Sequence, residues 1–361
     1  MARALDRQAS FSGTKEIAPA LAFDFAALAD FLAPRLAGFA DPVAARQFKG
    51  GQSNPTYLIE TPACRYVLRR KPPGKLLASA HAVDREFRIM TVLHREGFPV
   101  AEPLLFCPDP EVIGTPFYIM AHIEGRIFWN PAMPDSTPGE RAGVYDVMNA
   151  TLARLHRYEP ATLGLADFGK AQGYVARQIK RWSENYRLSA TADIPEMDRL
   201  MAWLPEHLPP EGRAALVHGD YRLDNLIING ASPTVSAVLD WELSTVGDPA
   251  ADFAYHLMAW DMPRLASGAG TGSLLGADLA ALGLPTRDAY ASGYARRMGL
   301  ADIPHLDFYF AYNFFRIAAI LQGIVGRVRD GTATNENAPA MAEAVRPLAA
   351  TALKCAARAQ R

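Results

Sequence analysis

The segment from Leu216 to Asp240 constrains the fold more than any other part of the chain. It reads LVHGDYRLDNLIINGASPTVSAVLD, in which two short apolar runs are separated by a stretch containing Gly, Ser and Pro. Apolar runs with turn residues between them predict a β-hairpin. Asn225 begins the first predicted strand and Asp240 ends the second, so we expect the two residues to face each other at one end of the hairpin.

Three polar side chains around this hairpin have the chemistry of a reactive site. Oxygen donors from Asn225 and Asp240 at an open sheet end suit a hard cation such as Mg²⁺. Asp220, at the mouth of the same loop, could accept a proton from an incoming nucleophile. Each residue alone is typical of a turn or a helix cap. Together with His218, however, they match the H-x-D-x-x-x-x-N pattern of kinase catalytic loops and the metal-binding aspartate that follows it.

Composition excludes several other kinds of protein. The 361 residues are 50% hydrophobic and 21% charged, with a formal net charge of −1. These values are ordinary for a chain that buries a large core, and they offer no basic surface to nucleic acid. Cys64, Cys107 and Cys355 lie far apart and form no CxxC pair, so neither a disulfide framework nor a zinc site is expected. We therefore predict a protein of the reducing cytoplasm without a nucleic-acid partner.

Hydropathy patterning favours a protein without a membrane anchor. The N-terminal segment MARALDRQASFSGTKEIAPA carries charges and lacks the apolar core of a signal peptide. The most apolar stretch, residues 308–328, includes Asn313, Arg316, Gln322 and Arg327, and its longest uncharged run is too short to span a bilayer. We predict a buried helix there and no membrane partner.

The pattern of apolar residues divides the chain into a strand-rich first part and a helical remainder. Before about Gly125 it predicts several strands, a helix over residues 23–39 and an amphipathic helix over 82–97. After Gly125 it predicts helices that are interrupted only by the two strands of the hairpin, with a loop and a short helix at 261–285. The predicted helices lie at about residues 139–158, 174–188, 196–207, 249–260, 288–299, 305–329 and 338–358.

Four stretches of the sequence resemble one known family. They read HGDYRLDNLI, VLDWELSTVGDPAADFAY, GGQSNPTYLI and YVLRRKPPGKLL. They closely resemble the aminoglycoside phosphotransferase-like family, which includes choline kinases and the kinase-like domains associated with acyl-CoA dehydrogenases. The resemblance extends from about residue 25 to 330 with the motifs in the family's order. It implies an α+β, bilobal protein kinase-like fold, with a small antiparallel β-sheet lobe over 1–122 and a larger, mostly helical lobe over 123–361.

The resemblance also implies roles for individual residues in ATP-dependent transfer. Asp220 matches the catalytic aspartate, and Asn225 and Asp240 match the Mg²⁺ ligands that bridge the nucleotide phosphates. Arg69 takes the place of the usual phosphate-binding lysine, with Lys71 as the alternative. The remaining expected nucleotide contacts are a glycine-containing phosphate loop, the helix carboxylate that pairs with Arg69, and an adenine-binding strand. These implied binding residues are Gly50, Gly51, Ser53, Asn54, Arg69, Glu86, Met120 and His122.

Four further residues have expected roles outside direct catalysis. His218 is expected to hold the loop, and Asp252 to anchor a helix. Asp248 precedes Pro249 in the manner of a helix N-cap. Glu242 is open to two interpretations, a carboxylate beside the metal or a solvated charge. Glu86 could likewise be an exposed helix charge rather than the partner of Arg69.

The acceptor is expected to be a small molecule. Only eight residues separate Asp240 from Pro249 and no A-P-E follows, so no peptide-docking segment of a protein kinase can form. Arg222, Arg126 and Trp129, together with few acids, favour an acceptor that is less cationic than an aminoglycoside. The resemblance to the domains associated with acyl-CoA dehydrogenases, which includes the YVLRRKPPG string, implies a hydroxyacyl-CoA-like acceptor, with an aminoglycoside as the alternative. A catalytically silent nucleotide-binding module is the alternative of another class. A zinc hydrolase is disfavoured because no histidine-rich ligand set accompanies the carboxylates.

Overall fold

The computed structural model describes residues 7–40, 44–50, 54–73, 82–230, 232–264, 272–330 and 338–360. These residues form two compact units. The first comprises residues 7–128 together with 224–244, and the second comprises 129–223 together with 245–360. The mixed α+β composition predicted from the sequence is confirmed by a six-stranded antiparallel sheet in the first unit and a mostly helical second unit.

The first unit is built on the six-stranded sheet. Its strands follow the spatial order β1-β2-β3-β4-β6-β5 and neighbouring strands are antiparallel. Along β3, buried and half-buried positions alternate, whereas β4 is buried along nearly its whole length. The strands are β1 (Thr14–Lys15), β2 (Ala44–Phe48), β3 (Thr56–Glu60), β4 (Arg65–Arg70), β5 (Pro103–Cys107) and β6 (Phe117–Ala121).

Three helices belong to the same unit: α1 (Arg7–Phe11), α2 (Phe25–Leu32) and α3 (Val83–Arg95). The prediction that α2 continues to residue 39 is wrong. Its C-cap is Ala33, directly before Pro34, which has no backbone N–H to continue the helical hydrogen bonds. The α3 prediction is confirmed to within two residues at each end.

The hairpin predicted around Asn225 and Asp240 also belongs to the first unit. It consists of β8 (Leu226–Ile228) and β9 (Val235–Val238), which pair antiparallel. The sequence-based division had placed this segment in the helical lobe and ended the sheet lobe at residue 122. Hydrogen bonds from Arg126 N to the Ile228 carbonyl and from Val238 N to the Pro99 carbonyl, each 2.8 Å, join the hairpin to residues 99–126. Pairing across the chain explains why residues 224–244 group with the sheet.

The second unit carries eight described helices at or near the predicted positions. Two of them begin with a capping residue followed by a proline, namely Thr137 before Pro138 and Asp248 before Pro249. The helices are α4 (Pro138–Arg157), α5 (Tyr174–Ser189), α6 (Pro195–Glu206), α7 (Pro249–Leu257), α8 (Leu279–Leu282), α9 (Arg287–Met298), α10 (Leu306–Arg329) and α11 (Ala338–Ala359).

Two short strands of this unit were missed. β7 (Ala215–Val217) and β10 (Thr245–Gly247) pair antiparallel, with Leu216 opposite Val246. The expectation that the hairpin strands alone interrupt the helices is therefore wrong. Three residues are too few for an alternating pattern to identify a strand. This pair matters for function because β7 leads directly into the loop that carries Asp220.

Helix α10 is the central element of the second unit, where it packs against α5, α7 and α11. Among the described residues it is the one helix that is long and apolar enough to cross a membrane, yet 67% of its most apolar window is buried within the protein. The prediction of a buried helix in this region is confirmed. Asn313, Arg316 and Gln322 are buried on it, which makes α10 a source of polar contacts inside the unit.

Candidate active site

The loop after β7 is held by a buried aspartate on α7. Asp252 accepts hydrogen bonds from the backbone N–H of His218 at 2.7 Å and of Gly219 at 2.9 Å. Gly219 has a φ of +84°, a conformation that favours glycine. The side chain of His218 turns back and accepts a hydrogen bond from Asp220 N at 3.2 Å. These contacts agree with the anchoring roles expected for Asp252 and His218.

Asp252 is itself held in the charged form. His156 Nε2 lies 3.1 Å from its Oδ2, and His156 Nδ1 lies 2.5 Å from the hydroxyl of Tyr294. Burial by itself would raise the pKa of Asp252, but the hydrogen bond and charge of His156, with a contribution from His218, outweigh burial and lower this pKa. A buried carboxylate with several donors is a rigid anchor for the loop.

One oxygen of the Asp220 carboxylate has both a hydrogen-bond donor and an ion-pair partner. The hydroxyl of Tyr255 donates to Oδ1, and Nε of Arg222 lies 3.0 Å from the same atom. Tyr255 was not identified from the sequence. The signal was present, because residues 252 and 255 lie three apart on α7 and therefore share a helix face. A helix whose face holds the loop at one position could also reach it at the other.

Arg316 on α10 contacts both the loop and Tyr255. Its Nη2 donates to the carbonyl of Gly219 at 3.0 Å, and its Cζ lies 5.2 Å from the centroid of the Tyr255 ring. The side chain is buried, with 8% of the residue exposed. The sequence had not indicated Arg316 as a contact of this loop.

Asn225 and Asp240 lie at the open end of the β8–β9 hairpin. Leu226 is paired with Val238, and Leu239 N donates to the carbonyl of Asn225 at 2.8 Å. Asn225 therefore lies opposite Leu239, so the expectation that it faces Asp240 directly is wrong by one residue. Asp240 adopts a left-handed backbone with φ +63°, which is strained for a residue other than glycine and is often found at functional sites.

Arg69 on β4 joins three carboxylates of the first unit. Its Nε lies 2.8 Å from Glu86 Oε2, and its Nη2 lies 2.6 Å from Asp240 Oδ1 and 3.7 Å from Glu242 Oε2. Burial opposes the charge of Arg69, but the negative charges of Glu86 and Asp240 outweigh burial and raise its pKa. Lys71 instead lies just beyond the end of β4, where its N–H donates to the Pro116 carbonyl. The contacts with both carboxylates favour Arg69 as the phosphate-side cation.

Glu86 and Glu242 are both part of this cluster. Glu86 is 1% exposed, which contradicts the alternative of a solvated helix charge. Burial raises its pKa, and the charge of Arg69 opposes that rise. Tyr118 donates to Glu86 at 3.1 Å, and the Asn54 amide donates to Glu86 at 2.7 Å and to Glu242 at 3.4 Å. Glu242 is thus a member of the charged cluster and not a fully solvated side chain.

The expected nucleotide loop and adenine strand are described in part. Gly50 follows β2, whereas Gly51 and Ser53 lie outside the described residues. The buried side chain of Asn54 contacts the carboxylates of Glu86 and Glu242. Met120 lies within β6, paired with Val67 and Pro103, and His122 N donates to the Arg65 carbonyl at 3.4 Å. Nucleotide binding by these residues stays a prediction.

The oxygen donors at the end of the hairpin suit a metal ion whose remaining ligands come from the substrate. Among the described stretches of the chain, no group of three or more His, Cys, Asp or Glu side chains could hold a metal ion by itself. The amide oxygen of Asn225 and the carboxylate of Asp240 are hard oxygen donors at one hairpin end, which fits Mg²⁺ bound through two protein ligands and phosphate oxygens. Asp220 belongs to the other unit, and its convergence with these ligands stays a prediction.

Comparison with known proteins is consistent with these features. A family model described as "Phosphotransferase enzyme family" matches residues 44–299. Acyl-CoA dehydrogenase family member 11 of Gallus gallus is 41% identical over 352 residues, which cover 96% of this chain and 45% of that protein. The chain spans less than half the length of this relative and of other curated relatives that it matches.

Solved structures show the same fold. A Ralstonia eutropha JMP134 protein provisionally named an aminoglycoside phosphotransferase is 43% identical, with a TM-score of 0.83 over 93% of this chain and 99% of that one. A spectinomycin phosphotransferase solved with ADP and spectinomycin has a TM-score of 0.61 at 11% identity, covering 91% of this chain and 97% of that one. The second likeness is one of fold alone.

Proposed function

The chain belongs to the phosphotransferase enzyme family, and from that membership we propose that it transfers the γ-phosphoryl group of ATP to a hydroxyl group of a small molecule. The observation that carries this proposal is the Arg69 guanidinium, which joins Glu86 on α3 to Asp240 at the end of the hairpin. A cation of the sheet that pairs with a helix carboxylate is a shared requirement of kinase phosphate sites.

Within this proposal the residues of the first unit bind the nucleotide phosphates. Asn225 and Asp240 would hold Mg²⁺, which when bound neutralises charge on the phosphate oxygens. Arg69 would contact the phosphates through its planar guanidinium, which can bind two oxygens at once. Glu86 is buried beside it and restricts the directions in which this guanidinium can point.

Asp220 would orient the acceptor hydroxyl and accept its proton. The hydroxyl oxygen forms a bond to the γ-phosphorus while the bond from that phosphorus to the β–γ bridging oxygen breaks, which releases ADP. The proton of the hydroxyl passes to the carboxylate of Asp220. Catalysis of this kind depends mainly on positioning and on charge stabilisation, and the anchored loop around Asp220 supports such a role.

We assign the acceptor to hydroxyacyl-CoA-like metabolites, with aminoglycosides as the second candidate. Arginines surround Asp220, with Arg222 at 3.0 Å and Arg316 bonded to the neighbouring Gly219. This positive environment disfavours a polycationic antibiotic and favours an acceptor that carries negative charge. The name of the chicken relative includes acyl-CoA, whereas the Ralstonia protein is provisionally named for aminoglycosides.

A panel of acceptors tests the proposal. Purified protein with Mg·ATP is incubated with hydroxyacyl-CoAs, choline-like alcohols and aminoglycosides, and phosphorylated products are identified by mass spectrometry. We expect a phosphorylated hydroxyacyl-CoA that is not formed by the Asp220→Asn variant. Turnover of aminoglycosides alone would overturn the acceptor assignment. A thermal shift with ATP but no turnover across the whole panel would favour the catalytically silent module instead.

A further inference from the structure

Tyr255 is the residue of α7 that contacts the carboxylate of Asp220. Its hydroxyl donates a hydrogen bond to Oδ1, and Nε of Arg222 forms an ion pair with the same oxygen. The two contacts together restrict rotation of the carboxylate about its Cβ–Cγ bond. We propose that Tyr255 is a positioning residue of phosphoryl transfer, which acts by holding Asp220 in the orientation that receives the acceptor proton. This inference rests on the proposed function, because it requires that Asp220 be the proton acceptor.

The surroundings of Tyr255 keep its hydroxyl a donor. The residue is 8% exposed. Burial raises its pKa, and the negative charge of Asp220 raises this pKa further. The hydroxyl therefore stays protonated at neutral pH and keeps its own proton during the transfer. It donates a hydrogen bond to the charged carboxylate of Asp220, and such a bond is stronger than one to a neutral group.

Arg316 restrains the other end of this contact. Its guanidinium lies over the Tyr255 ring, with 5.2 Å between Cζ and the centroid, and it donates to the carbonyl of Gly219 next to Asp220. The buried side chain of Arg316 thus contacts both the ring of Tyr255, whose hydroxyl donates the hydrogen bond, and the backbone next to Asp220, whose carboxylate accepts it. Such a restraint suits a group that must be placed accurately, since small misplacements in a reacting pair cost large factors in rate.

The contact could instead serve folding alone, and a variant that removes only the hydroxyl separates the two roles. Tyr255→Phe keeps the ring under Arg316. Tyr309→Phe is the matched control, because Tyr309 donates to Asp248 Oδ2 at 2.6 Å and is likewise a buried tyrosine bonded to a carboxylate in the same unit. Mg·ATP hydrolysis, with water as the acceptor, measures turnover, and Mg·ADP affinity is measured by calorimetry.

We expect Tyr255→Phe to lower turnover by about tenfold or more, as the loss of a hydrogen bond to a charged group predicts. Mg·ADP affinity should stay within about twofold of the wild type, since the proposed function assigns the nucleotide phosphates to residues of the first unit and not to Tyr255. Tyr309→Phe should leave turnover unchanged. Turnover of Tyr255→Phe at the wild-type rate would overturn the inference.

A double-mutant cycle with Asp220→Asn distinguishes action through Asp220 from a general structural effect. If Tyr255 acts through the carboxylate, Tyr255→Phe changes turnover by less than about twofold in the Asp220→Asn background. An equal loss in both backgrounds would contradict the inference. Wild-type turnover by Asp220→Asn itself would refute the proposed function, whereas an inactive Asp220→Asn with a fully active Tyr255→Phe would refute only the role of Tyr255.

Two further measurements keep the inference testable if Tyr255→Phe does not fold or turnover is absent. Arg316→Lys keeps a charge but loses the flat guanidinium, so turnover should fall by roughly threefold or more with nucleotide affinity unchanged. The same double-mutant cycle measured by urea unfolding reports the Tyr255–Asp220 contact without any activity. Additive effects of the two substitutions on unfolding would show that the contact is absent and would overturn the inference.

Discussion

The guanidinium of Arg69 lies 2.6 Å from the carboxylate of Asp240, although the two residues are separated by 171 positions in the chain. The same guanidinium lies 2.8 Å from Glu86. One cation therefore connects the helix carboxylate to the expected metal ligand. The charge balance of this cluster determines how the first unit responds to the loss of Arg69.

Arg69→Met should destabilise the first unit by about 3 kcal/mol, because it leaves the carboxylate of Glu86 buried without its cation. Adding Glu86→Gln should recover part of this loss, since the second change removes the uncompensated charge. Urea unfolding of the two single variants and the double variant measures both effects. A double variant that is less stable than Arg69→Met alone would contradict this description of the pair.

Asp240→Ala should abolish turnover and remove the dependence of ADP binding on Mg²⁺. The physical reason is the loss of the one carboxylate that we assign to the metal. Calorimetric titration of ADP with and without Mg²⁺ provides the measurement, and Glu242→Gln is the control because it removes a neighbouring charge of the same cluster. An Mg²⁺-dependent ADP affinity that survives Asp240→Ala would exclude Asp240 as a metal ligand.

Asp220→Asn should lower turnover by roughly 10²–10⁴-fold, the usual contribution of a positioned general base. Its affinity for Mg·ATP should change by less than about threefold, because the substitution removes a charge without removing a phosphate contact. Steady-state kinetics and calorimetry give the two values. Loss of nucleotide binding would mean that the roles of Asp220 and Asp240 are misassigned.

The stability of the second unit should fall as the pH drops from about 6.5 to about 4. Burial lowers the pKa of His256 from 6.5 to about 4, so the folded protein keeps this imidazole neutral while the unfolded chain takes up a proton. The unfolded state then binds more protons in this window, and a single group with this shift costs about 3 kcal/mol across it. Above pH 6.5 its contribution is constant.

Urea unfolding at pH 7 and at pH 4.5, followed by tryptophan fluorescence, measures this dependence. His256→Gln should remove most of it, whereas His207→Gln, a change at an exposed histidine of the same unit, should leave it in place. An unchanged pH dependence in His256→Gln would assign the effect to other groups.

Local signals allowed the sequence to predict most of the helices and the hairpin. Asp248 caps α7 through hydrogen bonds from Ala250 N and Ala251 N, as the Asp-Pro pair indicated. Pro34, which has no backbone N–H to continue α2, was an equally local signal that the predicted end at residue 39 ignored. The strands β7 and β10 were missed because three residues are too few to show an alternation of apolar and polar residues. Such a strand is defined by its hydrogen bonds to a distant partner.

The sequence by itself determined the positions of the long helices, the β8–β9 hairpin and the set of residues that we propose for phosphoryl transfer. Apolar periodicity, caps and turn residues act over a few positions and can be read along the chain. Only the tertiary structure decided that Arg69 rather than Lys71 contacts Glu86 and Asp240, and that Tyr255 and Arg316 hold the Asp220 loop. These contacts depend on which distant side chains are buried together, because a buried charge is unfavourable unless tertiary packing places a partner beside it.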